Sequence, residues 1–260
     1  MRILAAILTF IFSFFLSGRD ADFTIQETAG FIATDNLGNV YLVSGDRIRK
    51  FDNHGIFQKE FSNKNFGPVS SLDATNPLRL TAFYKDFNRV LFLDNTLTQN
   101  GDAIELEKMG FPIATLACSS FDNGMWIYNQ PGFELVRFNR NMEIVQRTGN
   151  LSQILGIELQ PDFLIEKDNK LFLNNPETGI LVFDVFGTYA KTVPLKGIHS
   201  FQVMDNSICW FEKGRLHSWS VPLSEITDFE EPVNDSALNM KMEKEVIFVQ
   251  EKNAIKLYKR

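Results

Sequence analysis

The sequence predicts an all-β protein, a six-bladed β-propeller closed by a strand from the N-terminus, with seven short blades as the alternative. Two observations predict it. Short apolar runs alternate with breaks that contain Gly, Asn or Asp, as in consecutive β-hairpins. One kind of run, interpreted as the second strand of a unit, begins at residues 40, 90, 125, 171, 208 and 246, and so recurs in steps of 50, 35, 46, 37 and 38. A period of about 40 residues is typical of a propeller blade.

The first residues are typical of a secretory signal peptide. Arg2 is followed by an apolar run over residues 3–16 and then by two small residues. We therefore expect a signal peptide over residues 1–18, a single propeller domain over residues 19–260, and a periplasmic or secreted location. An uncleaved membrane anchor is the alternative, although the run is short for a membrane span. If the leader is removed, no transmembrane span is expected.

The composition argues against a nucleic-acid partner. The formal net charge is -6, and removing a leader whose only charge is Arg2 makes it -7, so the chain lacks the basic surface that nucleic acid requires.

The two cysteines, Cys118 and Cys209, lie in apolar runs of different units. We expect them to be buried free thiols, because a chain of this length does not need a disulfide. A monomer is the expected state.

The first unit, residues 31–61, carries the full hairpin pattern: apolar runs over residues 31–34, 40–43, 47–51 and 56–61. It resembles the repeat of the NHL family of propellers, in which an Ile-Ala-x-Asp-x-x-Gly-Asn-Val-Tyr-Leu stretch precedes a strand like residues 47–52 and a Gly-Ile-Phe close. The resemblance implies the propeller fold.

The other units keep this pattern less regularly. Blades are predicted at residues 30–67, 68–111, 112–159, 160–198, 199–232 and 233–260. An N-terminal strand at residues 22–28 is left over, and it closes the last blade. In the second blade, residues 78–84 are taken as the first strand and residues 90–93 as the second.

One aromatic residue follows the start of the second strand by 11 to 13 residues in five units, and we expect these rings to pack blade against blade. They are Phe51, Phe138, Phe183, Trp219 and Tyr258. In the second unit this aromatic is missing.

Catalytic motifs are absent from the sequence. It contains no Gly-x-Ser-x-Gly, no Cys-x-x-Cys and no Gly-rich phosphate loop, and His54, His199 and His217 have no metal-binding spacing. We therefore predict no catalytic residue and no metal ligand. Asp-Asn pairs beginning at residues 35, 122, 168 and 205 are interpreted as hairpin turns, although their oxygens also suit calcium. Lactone-hydrolysing propellers resemble this architecture and carry a channel calcium, which makes calcium the alternative to no cofactor.

Loops on a rigid β scaffold are where propellers recognise partners. The longest connection, residues 64–77, feeds an aromatic strand end at residues 83–85, and residues 129–133 and 174–177 are expected on the same face. The predicted ligand-binding residues are Asn76, Arg79, Tyr84, Lys85, Phe133 and Asn175.

Two functions follow. The first is an exported, non-enzymatic scaffold that binds a protein, peptide or glycan partner in the cell envelope, because catalytic motifs are missing. The alternative is a calcium-dependent, lactonase-like hydrolase or lyase that uses the central channel. A shared fold does not decide between them.

Overall fold

The structure is a computed structural model, and it describes residues 20–221, 225–228 and 236–260. Within these ranges the strands form six four-stranded antiparallel sheets, and helices are limited to single turns. The prediction of an all-β, six-bladed propeller is confirmed. The predicted signal peptide, residues 1–18, lies outside the described residues. No helix in the described part of the chain has the length and apolar character needed to cross a membrane.

Each blade is a meander of consecutive strands, and β1 (Phe23–Ile25) precedes the first blade. Blade 1 contains β2 (Phe31–Thr34), β3 (Val40–Ser44), β4 (Arg47–Phe51) and β5 (Phe57–Ser62). Blade 2 contains β6 (Ser71–Asp73), β7 (Leu80–Tyr84), β8 (Arg89–Leu93) and β9 (Ile104–Glu105). Blade 3 contains β10 (Ala114–Ser119), β11 (Met125–Asn129), β12 (Glu134–Phe138) and β13 (Ile144–Arg147).

The second half of the chain repeats the plan. Blade 4 contains β14 (Phe163–Lys167), β15 (Lys170–Asn175), β16 (Gly179–Asp184) and β17 (Tyr189–Val193). Blade 5 contains β18 (Gln202–Met204), β19 (Ser207–Glu212), β20 (Arg215–Ser220) and β21 (Glu225–Asp228). Blade 6 contains β22 (Asn239–Met242), β23 (Val246–Gln250), β24 (Ile255–Lys259) and β1. Loops hold a short helix, α1 (Leu151–Leu155), and 3₁₀ turns at Lys64–Phe66, Lys85–Phe87 and Glu107–Met109.

The meander gives the disc two different faces. First strands of neighbouring blades contact one another around the channel, as β10 does with β6 and β14, whereas the fourth strands β5, β13 and β17 are mostly exposed at the rim. Because neighbouring strands are antiparallel, the loops joining strand 1 to 2 and strand 3 to 4 lie on one face, the hairpin face. The loops joining strand 2 to 3, and one blade to the next, lie on the opposite face, the interblade face.

Six apolar clusters, one at each junction between neighbouring blades, form the core. On β11, Met125 and Ile127 pack toward blade 2, whereas Trp126 and Tyr128 pack toward blade 4. This alternation follows from the two-residue period of a strand and buries the sheet on both sides, so the second strands are continuous apolar runs. Both cysteines are free and buried in such clusters.

The aromatic at the end of the third strand packs toward the preceding blade in five blades. These residues are Phe51, Phe138, Phe183, Trp219 and Tyr258. In blade 2 the residue at that position is Leu93, which pairs with Leu80 and is buried against blade 1. An aliphatic side chain therefore replaces the ring there.

The predicted register of blade 2 is wrong by one strand. The run at residues 78–84 holds the second strand, β7, and the run at 90–93 belongs to the third, β8. The first strand, β6, does not stand out as an apolar run in the sequence, because Leu72 is its only large apolar residue. With the observed register, second strands begin at residues 40, 80, 125, 170, 207 and 246, in steps of 40, 45, 45, 37 and 39.

The N-terminal strand closes the ring, as predicted. β1 pairs antiparallel with β24, with Phe23 opposite Leu257 and Ile25 opposite Ile255. The Asp22 backbone N–H donates to the Leu257 carbonyl over 2.9 Å, which extends the pairing. The edge of blade 6 is thereby covered by the other end of the chain.

The Asp-Asn pairs form turns of the hairpin face. Asp168 and Asn169 have φ of 51° and 58°, and Asp205 and Asn206 have φ of 46° and 62°, so both pairs make two-residue hairpin turns. In blade 1 the Asp35 carboxylate instead accepts the Leu37 and Asn39 backbone N–H groups, each over 3.0 Å. The Asp-Asn pairs thus recur because Asp and Asn suit the backbone conformation and hydrogen bonds of these turns.

Candidate functional site

A cleft of about 440 Å³ opens on the interblade face. Its walls come from the turn after β7, the turn between β11 and β12, and the connection from blade 3 to blade 4. The side chains around it combine rings, amides, hydroxyls and one charge of each sign. They include Lys85, Tyr128, Gln130, Phe133, Glu158 and Gln160. A cavity of this size and mixed lining suits a small ligand or a short segment of a larger one.

Local hydrogen bonds fix the connection that forms one wall. The Asn150 side chain caps α1 by accepting the Gln153 N–H over 2.9 Å, and Gly156 ends this helix in the left-handed conformation. The Leu151 N–H donates to the Phe133 carbonyl over 2.8 Å, which ties the helix to the neighbouring turn. These hydrogen bonds hold the wall in place without a ligand.

The Tyr128 hydroxyl is a buried polar group at this cleft. Tyr128 is 1% exposed, and its hydroxyl has no hydrogen-bond partner among the described residues. Burial raises the pKa of Tyr128 to about 12, so the hydroxyl keeps its proton at neutral pH. A buried donor without a partner is costly, and a ligand acceptor could satisfy it.

Next to the cleft, His199 and Asp162 form a hydrogen-bonded pair, with 2.5 Å between His199 Nδ1 and Asp162 Oδ2. The buried Asn174 donates to the other oxygen of Asp162 over 2.7 Å and so orients the carboxylate. The His199 side chain is 76% exposed, and Pro161, the neighbour of Asp162, lines the cleft. No catalytic or metal-binding role for His199 is predicted from the sequence, and Asp162 is not singled out there, because the two lie 37 positions apart in no motif.

Of the six predicted ligand-binding residues, Lys85 and Phe133 line the cleft. Asn175 is 1% exposed and supports the wall from behind, since it accepts the Gln160 N–H over 2.8 Å and donates to the Glu158 carbonyl over 3.0 Å. Tyr84 is fully buried and packs edge-on against Phe66 in the core between blades 1 and 2.

Asn76 and Arg79 lie on the other face of the disc. They belong to the turn between β6 and β7, so the strand shift in blade 2 moves them to the hairpin face. Asn76 Nδ2 donates to Asn123 Oδ1 over 3.0 Å, and Arg79 Nη1 donates to the Gly124 carbonyl over 3.3 Å. Both side chains therefore join blade 2 to blade 3. The structure does not bring them together with Lys85 and Phe133.

Charged side chains converge at the hairpin-face end of the channel. Glu243, which follows β22, accepts the Thr34 hydroxyl over 2.6 Å, and desolvation by burial raises the pKa of Glu243 to about 7. Lys241 lies two residues earlier, on β22, and burial lowers its pKa to about 8. Lys167 and Asp35 also act on Glu243 electrostatically. The described residues contain no group of three or more His, Cys, Asp or Glu side chains placed to hold a metal ion.

A second buried carboxylate, Glu166 on β14, joins blade 4 to blade 3. It accepts Trp126 Nε1 over 2.7 Å, the Phe121 N–H over 2.7 Å and the Ser120 hydroxyl over 2.9 Å. Burial raises the pKa of Glu166, while these three donors oppose the shift. This arrangement is an interblade brace, because the carboxylate accepts all three hydrogen bonds from the neighbouring blade.

Comparison with known proteins shows the fold and no more. No protein-family model and no curated protein matches the chain. A streptogramin B lyase structure is similar at 14% identity and a TM-score of 0.57, over 94% of this chain and 85% of that one. A catalytically inactive histidine-to-alanine variant of virginiamycin B lyase from Staphylococcus aureus, with quinupristin, is similar at 13% identity and a TM-score of 0.58, over 87% and 78%. The Pan2 WD40 domain of Neurospora crassa is similar at 11% identity and a TM-score of 0.53, over 89% and 88%.

These neighbours are all propellers, so the architecture is shown, whereas membership of the NHL family stays a prediction. At such identities the likeness carries no function.

Proposed function

We propose that this chain is an exported, non-enzymatic binding scaffold of the cell envelope, which holds a peptide, protein or glycan partner on its interblade face. The propeller fold supports a scaffold role and an enzyme role equally. The interblade cleft favours the scaffold role. Export and envelope location rest on the leader sequence alone.

The observation that carries the proposal is the mixed chemistry of a preformed cleft. Phe133 offers part of a ring face, Gln130 and Gln160 offer amides that both donate and accept, and the Tyr128 hydroxyl lacks a protein partner among the described residues. Lys85 and Glu158 add one charge of each sign. Such a surface recognises a partner segment that is itself polar and partly apolar, as peptide and sugar chains are.

Thermal unfolding with a panel of soluble envelope peptides and oligosaccharides tests this proposal. A ligand at roughly 100-fold its Kd should raise the Tm by about 5–10 °C, by mass action on a domain of this size. Lys85→Glu reverses an exposed charge at the cleft and should abolish or weaken the shift. Leu238→Ala is the matched control, since Leu238 is 63% exposed on the same face but does not line the cleft. Binding that is unchanged by Lys85→Glu, or a ligand that is chemically converted, contradicts the proposal.

The exposed His199–Asp162 pair favours a second candidate, a hydrolase or lyase that works on this face. An imidazole held by a carboxylate can take a proton from substrate or water, with the carboxylate stabilising the imidazolium that forms. Calcium dependence stays a prediction.

A panel of lactones and cyclic depsipeptides tests the second candidate. If the chain converts one of them, His199→Ala should lower the rate by about 10²–10⁴-fold. His54→Ala is the control, because His54 packs on Phe23 at the hairpin face. Mass spectrometry of protein purified without chelator determines whether calcium is bound. Activity that is unaffected by His199→Ala excludes the proposed base.

A further inference from the structure

Exposed apolar side chains are concentrated on the hairpin face. Thirteen large apolar residues are exposed in the described part of the chain, and nine of them lie in or next to hairpin-face turns of blades 1 to 4. The most prominent five, called here the apolar tips, are Leu37 (63% exposed), Ile56 (59%), Leu78 (67%), Phe121 (56%) and Phe186 (61%). Single exposed apolar residues are normal, but a one-sided set marks an interaction surface.

The N-terminal apolar segment joins the disc at the same face. β24 is a third strand, so it ends at the hairpin face, and β1 runs antiparallel to it with Phe23 opposite Leu257. The Lys259 N–H donates to the Asp22 carboxylate over 2.8 Å, which fixes the entry point at the end of β24. The chain before Asp22 therefore leaves from the hairpin face.

The connection between segment and disc is short. The apolar run covers residues 3–16 and lies outside the described residues, and only residues 17–22 separate it from β1. Six residues span at most about 22 Å. While the apolar run engages a bilayer, the hairpin face is the surface held within reach of that bilayer.

We propose that the hairpin face of blades 1 to 4 is a membrane-contact surface, with the apolar tips against the lipid bilayer that engages the N-terminal segment. A short apolar segment alone binds a membrane only weakly, and a second contact strengthens that binding. The apolar tips supply the second contact. The proposal holds whenever the segment stays attached, which is the anchor alternative for residues 1–18. It also turns the interblade cleft away from the bilayer.

Fluorescence quenching on the full chain tests the orientation. The protein, with Cys118→Ala and Cys209→Ala, is reconstituted in phosphatidylethanolamine–phosphatidylglycerol vesicles and labelled with an environment-sensitive dye at one introduced cysteine. Ile56→Cys reports the hairpin face, and Ile154→Cys reports the interblade face at a matched exposure of 61%. Quenchers tethered to lipid headgroups should quench the first label strongly and leave the second at its vesicle-free intensity.

Loss of the apolar tips provides the second arm. The triple variant Leu37→Ser, Phe121→Ser, Phe186→Ser should strongly weaken quenching at Ile56→Cys, because it removes three of the five apolar tips; these side chains are exposed, so the core stays intact. A matched triple on the other face, Phe87→Ser, Ile113→Ser, Leu238→Ser, should leave quenching unchanged. Equal quenching of both labels, no quenching of either, or undiminished quenching in the first triple overturns the proposal, and a protein occupant of this face then becomes the better explanation.

Discussion

Replacing Glu243 by Gln should remove a large part of the pH dependence of stability. Burial holds the pKa of Glu243 at about 7, against an ordinary value of 4.5, although the Thr34 hydroxyl and Lys167 oppose the shift. Gln retains an oxygen that accepts the Thr34 hydroxyl, so the substitution removes the ionisation and keeps the hydrogen bond. The change thus isolates the cost of placing a carboxylate in the channel.

The sign and size follow from linkage. Below pH 4.5 the carboxyl is protonated in both states and contributes no difference. Between pH 4.5 and 7 the unfolded chain releases its proton first, so the free energy of unfolding falls as pH rises, and it levels off above pH 7. The difference corresponds to about 2–3 kcal/mol once partial exposure is allowed for. The pKa of Lys241, at about 8, keeps that side chain charged throughout this window.

Urea unfolding at pH 5 and pH 7 measures the effect by linear extrapolation. Between these two pH values, the free energy of unfolding of wild type should change by about 1.5–2 kcal/mol relative to that of Glu243→Gln, with the variant the more stable at pH 7. Glu177→Gln, at an exposed glutamate, is the control and should follow wild type. If Glu243→Gln keeps the wild-type pH dependence, the carboxylate does not carry the cost assigned to it.

Three further predictions concern the blades themselves. Glu166→Ala should lower the free energy of unfolding by about 3–5 kcal/mol, because Trp126 Nε1 loses its acceptor in a buried site; a loss below 1 kcal/mol by urea titration contradicts the brace. Lys213→Asn should raise the Tm by about 1–3 °C, since Lys213 has φ of 50° before a glycine and Asn-Gly suits this turn; a lower Tm in calorimetry argues against backbone strain there. Cys118 and Cys209 should resist a thiol reagent until the protein unfolds, because burial raises the pKa of both thiols; rapid labelling of the native protein is the opposite result.

Apolar periodicity was sufficient to predict the fold because the second and third strands are buried on both sides. A run such as Leu171–Phe172–Leu173 has one neighbour blade on each face, so every position is apolar and the strand stands out from the turns. The first strand of blade 2 has no such run. Ser71 and Asp73 flank Leu72 there, and the Asp73 carboxylate accepts the Ser119 N–H of the next blade. A strand held by polar contacts to the neighbouring blade has no apolar run in its sequence.

The site was only partly predictable for a related reason. Loop position placed Lys85 and Phe133 on the interblade face, where both line the cleft, and their role in ligand binding stays a prediction. A loop assignment does not give the direction of a side chain. Tyr84 ends a strand and turns into the core, and Asn175 satisfies backbone groups behind the cleft wall. The pairing of His199 with a carboxylate depends on two blades meeting, which spacing along the chain does not record.

The closure of blade 6 determines how the two proposals, a binding cleft on the interblade face and a membrane contact on the hairpin face, relate to each other. Because β1 is a fourth strand, it must run from the hairpin face to the interblade face, so the chain enters this strand at the hairpin face. An even-stranded meander thus separates the entry of the chain from the turns that form the cleft. If the N-terminal segment holds a bilayer, the cleft faces the opposite direction, where a soluble partner can reach it. The polar cleft and the apolar tips are therefore compatible, since each lies on the face that its proposed partner can approach.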